Sequence, residues 1–459
     1  MRVLFATAEL APLVKVGGLG DFSAGFTRAL TGQGIEVDIV LPDYGGITLD
    51  ETARHELDLP GWCSPGLMRV GAVDGAPLSL ASIPGLARPN PYLDADGRSW
   101  PDNDRRFLGF SAAVAFWADR TRPDVLHLND WHTAATLAFL AEPPPSVLTV
   151  HNLAYQGSTT ADWLDRLPHH RDRYRIGQET NPLAGGIALA DAVVAVSPTF
   201  ATETLPPHHG FGLAHLLAER GQSYLGIMNG IDAGYWDPAT DPHLELRYEI
   251  ETHGEKAKLK TALARDFGMP ETDGPLVGMV TRLTDQKGVD MALEMLPVLE
   301  REGATMILLG SGERLLAEAA TDAARRHPGR FVFRDGYDET LAHRIFGASD
   351  LYLMPSRFEP AGLTQMQAMR YGSIPVVTDV GGLHDTVTDA DADPEGGTGF
   401  VAASVTVADV EEALGRAIRA WRNPERREEI IRRGMSADWS WDRPSRQYGE
   451  LYQKITSAR

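Results

Sequence analysis

The chain has 459 residues, 43% hydrophobic and 23% charged, and a formal net charge of −20. That length exceeds one ordinary core and predicts two large domains or three small ones, in a composition typical of ordered globular protein. The acidic balance excludes a nucleic-acid or anionic-membrane surface, the lack of any run of about 18 apolar residues excludes a membrane-spanning helix, and the single cysteine, Cys63, excludes internal disulfides and a cysteine-based metal cage.

Met1 leads straight into the buried-strand pattern Val3 to Thr7, so no signal peptide and a cytoplasmic location are expected. A helix follows at Asp21 to Leu30 and a second strand at Val37 to Leu41. The region from Asp43 to Trp100 is rich in Gly, Pro and Asp and reads as an irregular insertion with a hairpin. Val125 to Leu128, Val147 to Val150 and Ala192 to Val196 are further short apolar runs. Runs of this kind separated by helical patterns indicate βαβ units and a parallel sheet. The pattern restarts near Pro275, with strands at Leu276 to Val280, Thr305 to Leu309, Arg330 to Arg334, Leu351 to Met354 and Pro375 to Thr378. Helices are predicted between them at Val289 to Glu300, Leu315 to Arg326, Glu339 to Phe346 and Leu363 to Tyr371. The join lies within Tyr235 to Thr252, and Ser440 and Asp442 precede a capped, amphipathic tail helix carrying Tyr448, Leu451 and Tyr452.

Three loops carry the chemistry. Between the strand ending at Met354 and the next helix lies Pro355-Ser356-Arg357-Phe358-Glu359-Pro360-Ala361-Gly362-Leu363. Ligands of an open α/β sheet sit outside the carboxyl ends of its strands, and the helix that follows offers free N–H groups to an anion. Glu359 there can accept hydrogen bonds from two vicinal sugar hydroxyls while the amides after Gly362 hold a phosphate, so the corner suits a nucleotide sugar. The first strand of each half is also followed by a cation-bearing loop: Lys15 with Gly17, Gly18 and Gly20, and Arg282 with Lys287 and Gly288. Neither loop is a dinucleotide fingerprint or a Walker P-loop, which argues against an epimerase or dehydrogenase.

Taken in order, Lys15 to Asp21, Asp130-Trp131-His132, His151 to Gly157, Val196 to Thr199, Asn229 to Asp232, Arg282-Leu283 with Gln286-Lys287-Gly288, Pro355 to Leu363, and Gly381-Gly382-Leu383 with Asp385-Thr386 resemble the bacterial glycogen synthase and plant starch synthase family. The resemblance implies an α/β fold of two Rossmann-like domains facing a central cleft, the GT-B type of glycosyltransferase. Residues 1–240 would form an acceptor-side domain and 241–438 a nucleotide-sugar-binding domain, with a helix within 439–459 packing back on the first. A retaining transfer of glucose from ADP-glucose to the non-reducing end of an alpha-1,4-glucan is implied, without metal or cofactor. A small-molecule or short-oligosaccharide acceptor is the alternative, and oligomeric state is left open.

Roles follow from the resemblance residue by residue. His151, Arg282, Lys287 and Glu359 would be catalytic, the two cations neutralising the diphosphate leaving group and His151 steadying the reacting sugar centre. Lys15 with the Gly17 and Gly18 amides, Asn229, Tyr337, Ala361, Gly362, Leu363 and Thr364 would bind the donor, and Asp21, Asp130 and Trp131 the acceptor. Tyr337 can stack on adenine or uracil, so the base stays open. Ala361 stands where many members carry cysteine. A non-catalytic module would have lost several of Lys15, His151, Arg282, Lys287 and Glu359, yet all five are present.

Overall fold

A computed structural model describes residues 1–94 and 97–458. It divides into two compact units, Met1–Gly230 with Trp441–Arg459, and Ile231–Ser440.

In the first unit the strands are β1 (Arg2–Ala6), β2 (Glu36–Pro42), β3 (Asp50–Leu57), β4 (Gly66–Val73), β5 (Ala76–Ser82), β6 (Val125–Asn129), β7 (Ser146–Val150), a small three-stranded sheet of β8 (Thr159–Thr160), β9 (Arg175–Ile176) and β10 (Glu179–Thr180), then β11 (Ala192–Ala195) and β12 (Tyr224–Gly226). The large sheet runs β12-β11-β7-β6-β1-β2-β5-β4-β3. It is parallel from β12 to β5 and antiparallel across β5, β4 and β3.

The region expected to be an irregular insertion with a hairpin holds the β4–β5 hairpin and one further strand, β3, set among loops. Its turn is Asp74-Gly75, with φ of 50° and 80°, the left-handed pair that a two-residue hairpin requires. Residues 95 and 96 of that region lie outside the described residues. The strand Asp50–Leu57 escapes a search for apolar runs because it alternates exposed and half-buried positions at the sheet edge, where charged side chains discourage pairing with another chain.

The helix Gly18–Gly32 packs Phe22 and Phe26 against Phe5 of β1. The tail helix, Asp442–Ser457, belongs to this unit and closes the same aromatic layer, with the Tyr448 ring 4.6 Å from Phe26. His127 of β6 bonds Tyr452 Oη at 2.6 Å and Thr149 Oγ1 at 2.8 Å, and burial keeps its imidazole well below its ordinary pKa. Trp441 holds the N-cap position without a side-chain hydrogen bond, and its ring packs edge-on to Phe22 instead.

In the second unit β13 (Leu276–Val280), β14 (Thr305–Gly310), β15 (Phe331–Asp335), β16 (Leu351–Met354), β17 (Ile374–Thr378) and β18 (Phe400–Ala402) form a parallel sheet in the order β15-β14-β13-β16-β17-β18. That is the doubly wound order 3-2-1-4-5-6, whose direction of winding reverses between its first and fourth strands. The helix expected over Val289 to Glu300 is two helices, Val289–Glu294 and Leu296–Arg301. Pro297 causes the break, because it has no N–H for the preceding turn and its ring crowds that turn's carbonyl. No helix among the described residues is long and apolar enough to cross a membrane.

Candidate active site

The reversal point of the second sheet lies between β13 and β16, so the loops after these strands are where a ligand of this fold is held. Those loops carry Arg282, Lys287 and Glu359. Lys287 ends a single helical turn, Asp285–Lys287, and Gly288 follows at φ 61°. Lys287 Nζ lies 2.5 Å from Glu359 Oε2, with side chains only 16% and 6% exposed. Ser356 Oγ donates to the same carboxylate oxygen at 3.1 Å.

The two loops are tied together by further bonds. Arg357 N donates to Gln286 O at 2.8 Å, Gln286 Nε2 donates to Phe358 O at 3.1 Å, and the Arg357 guanidinium makes a two-pronged pair with Asp290 at 2.9 and 2.7 Å. A Cβ on Gly288 would fall 2.0 Å from Pro355 O. Gly288→Ala should therefore cost more than about 1 kcal/mol of stability, since it meets both a left-handed φ and a backbone wall, and should lower activity by prising Lys287 from Glu359. A thermal melt beside initial rates checks this, and a wild-type melt would contradict it.

Ala361 is buried and Gly362 stands at φ 66°. The helix expected to start near Gly362 begins at Thr364, with Leu363 at its N-cap. The Thr364 hydroxyl already donates to Met354 Sδ at 3.2 Å. Tyr337 follows β15 after Gly336 and is 65% exposed. Arg282 is exposed, two residues past β13.

In the first unit winding reverses between β1 and β6, and the remaining residues follow those strands or their neighbours. Lys15 Nζ pairs with Asp21 at 2.8 Å. Of the two amides expected to face a diphosphate, Gly17 N–H is committed: it donates to Glu9 Oε2 at 2.9 Å, as Val16 N–H does at 2.7 Å. Gly18 opens the following helix, where first-turn amides have no intrahelical acceptor. Glu9 escaped the sequence reading. Its one signal is an acid set among Ala6, Ala8 and Leu10.

Asp130 has φ 55° and ψ −173°, a conformation that costs a non-glycine residue of order 1–3 kcal/mol and clusters at functional sites. Its Oδ1 accepts His151 N–H at 2.7 Å. Burial pushes its carboxyl up to about 7, against the pull of the His151 and Asn152 amides. His151 Nε2 lies 2.9 Å from Asn129 Oδ1, and Asn129 Nδ2 donates to Ala6 O. That orientation of the amide makes Nε2 the protonated nitrogen. Burial pushes the imidazole down to about 3, so it is neutral near pH 7, and its ring packs edge-on to Phe22 with centroids 4.4 Å apart. Trp131 packs edge-on to Phe107 at 5.0 Å, and a Cβ on Gly157 would fall 2.1 Å from the indole. Part of its ring face is therefore covered by backbone. Asn229 is buried, and its Oδ1 has no hydrogen-bond partner among the described residues.

A model of the starch synthase catalytic domain matches residues 2–219, and one of group 1 glycosyl transferases matches residues 264–436. Glycogen synthase from Halorhodospira halophila is 41% identical over 100% of both chains. The chain belongs to the glycogen synthase family. Glycogen synthase from Alkalilimnicola ehrlichii is 42% identical, with 99% of this chain and 98% of the relative covered. The solved catalytic domain of starch synthase IV from Arabidopsis thaliana, bound to ADP and acarbose, is 32% identical with a TM-score of 0.89 over 99% of each chain. This member of the glycogen synthase family is thus a GT-B glycosyltransferase with two Rossmann-like domains. Of the residues singled out in its sequence, the structure joins Lys287 to Glu359, Lys15 to Asp21 and Asp130 to His151.

Proposed function

We propose that the chain transfers glucose from ADP-glucose to the non-reducing end of an alpha-1,4-glucan with retention of configuration. The observation that carries this reading is the buried Lys287–Glu359 pair at the reversal point of the second sheet. A cation and a carboxylate 2.5 Å apart match the two ends of a hexose diphosphate. Donor binding would open the pair, Lys287 turning to phosphate oxygens beside Arg282 and Glu359 to sugar hydroxyls. Tyr337 would stack on the base, Gly362, Leu363 and Thr364 would line the distal phosphate beside Ala361, and Asn229 Oδ1 would accept from a donor hydroxyl. Lys15 and Gly18 would add to the diphosphate contacts, with Asp21, Asp130 and Trp131 on the acceptor.

In the transfer, the bond from the sugar C1 to the β-phosphate oxygen breaks and one from C1 to the acceptor oxygen forms on the same face. The acceptor proton passes to the departing phosphate oxygen. Positive charge gathers at C1 in the transition state, and fixed groups that match it lower the barrier. A neutral His151 suits that place because it adds no repelling charge. Support for ADP comes from the starch synthase IV structure, which holds ADP and acarbose. A sequence with one cysteine, Cys63, and so no internal disulfide fits a reducing, cytoplasmic setting.

Nucleotide release from ADP-glucose and UDP-glucose, with and without glycogen and with a metal chelator present, tests the reading. Glycogen-dependent ADP release despite the chelator is the expected result. Release with a short oligosaccharide but not with glycogen would replace the acceptor, and release only from UDP-glucose would replace the donor.

A further inference from the structure

Glu9 is 4% exposed and lies three residues beyond β1, outside every role assigned above. One of its carboxylate oxygens accepts two successive amides, Val16 N–H at 2.7 Å and Gly17 N–H at 2.9 Å, and the other accepts the Tyr92 hydroxyl at 2.8 Å. Its own backbone is held as well. Thr7 Oγ1 donates to Glu9 O at 2.9 Å, and Leu10 and Val14 exchange N–H···O bonds of 2.9 Å on its far side. Tyr92 is fixed in turn, since Asn90 Oδ1 accepts its N–H and Asn103 Nδ2 donates to its carbonyl, each at 2.9 Å.

The Val16 N–H belongs to the peptide group whose carbonyl is that of Lys15. Clamping this amide and the next sets the direction in which the Lys15 side chain leaves the loop. Space is tight around the clamp, because a Cβ on Gly20 would come within 3.4 Å of Glu9 Oε2 and 3.3 Å of Val14 O.

We propose that Glu9 is a positioning residue for the transfer reaction, its buried carboxylate and the Tyr92 hydroxyl fixing the loop that presents Lys15 to the donor diphosphate. The proposal rests on the reading that Lys15 meets that diphosphate. The Val16 and Gly17 amides are then structural, and the loop is preset by a buried carboxyl group before substrate arrives. Burial, with Asp21 nearby, pushes the Glu9 carboxyl above its ordinary pKa, against the pull of the Val16 and Gly17 amides and the Tyr92 hydroxyl, and Tyr44 and Asp130 also face it. Three hydrogen-bond partners leave neither oxygen of this buried carboxyl unmatched.

The test is a double-mutant cycle in the full chain, with kcat and KM for ADP-glucose measured beside thermal melts. Glu9→Ala is expected to lower kcat/KM for ADP-glucose roughly a hundredfold, the size of loss that a small misplacement of a reacting group produces. The KM for glycogen should stay unchanged. Glu9→Gln keeps one acceptor oxygen for the two amides and should recover most of the loss. In a Lys15→Ala background Glu9→Ala should add nothing, because coupled residues are not additive.

An equal loss from Glu9→Ala in both backgrounds overturns the proposal and leaves the Lys15 reading standing. A Lys15→Ala enzyme with wild-type kcat/KM overturns the Lys15 reading and the proposal with it. If Glu9→Ala does not fold, the same cycle with Tyr92→Phe decides. A drop that vanishes in the Lys15→Ala background supports the proposal, and no drop, or an additive one, overturns it.

Discussion

Lys287→Ala is expected to lower kcat by roughly 10²–10³, the range found when one preorganised donor to developing negative charge is removed. It is also expected to destabilise the second unit. The Lys287 ammonium is the partner of a carboxylate only 6% exposed, and removing one member of a buried pair costs about 3–5 kcal/mol because the other is left charged and unmatched. The two effects separate in the double variant Lys287→Ala with Glu359→Gln. That protein should regain much of its melting temperature, having lost the unpaired charge, while its rate stays low. Restored rate in the double variant would mean that the pair holds the loops together and does not meet the leaving group. Lys287→Arg offers a graded control, since its planar fork keeps the charge and changes the geometry.

Asp130→Asn is expected to stabilise the protein at pH 8 and to impair it as an enzyme. The folded carboxyl is raised from its ordinary 3.8 to about 7 by burial, so between those values the folded chain holds a proton that the unfolded chain has released. Stability from this group is therefore present at low pH and is lost as pH rises through that window. At about 1.4 kcal/mol per unit, the charged form costs the fold on the order of 4 kcal/mol by pH 8. Asparagine removes the charge, and its Oδ1 can still accept the His151 amide. Melts of wild type and variant should differ most at pH 8 and converge near pH 4. Activity should fall if an ionised carboxylate meets the acceptor. A melting difference that grows toward acid pH would reverse the sign and sink this account.

The sequence showed the sheets wherever strands are buried on both faces. Val3 to Ala6 and Leu276 to Val280 are continuous apolar runs because helices cover both sides of a parallel sheet. It failed where that condition fails. The half-exposed Asp50–Leu57 has no apolar run, and Phe400–Ala402 is too short to make one. Candidate site residues in the loops past strand ends, such as Asp130, His151 and Glu359, stand out as motifs. Their partners do not. Glu9, Asn129 and Asp290 act through contacts made when a loop folds back or a neighbouring strand comes alongside, and no spacing along a chain encodes those. The partner of the Gly17 amide was hidden for the same reason, since it lies eight residues earlier in sequence.

The chain leaves the first unit at Gly230 and returns to it at Trp441, and Ile231 N–H donates to Trp439 O at 2.7 Å where the two passages meet. During synthesis on the ribosome the first unit therefore cannot finish until residues beyond 440 have emerged. Phe22, Phe26 and His127 wait that long for the Trp441, Tyr448 and Tyr452 side chains that cover them. The second unit, whose sequence is uninterrupted, is complete as soon as Ser440 clears the exit tunnel. The first unit thus cannot mature on its own during synthesis as N-terminal domains commonly do, because its aromatic layer stays uncovered until the tail helix emerges.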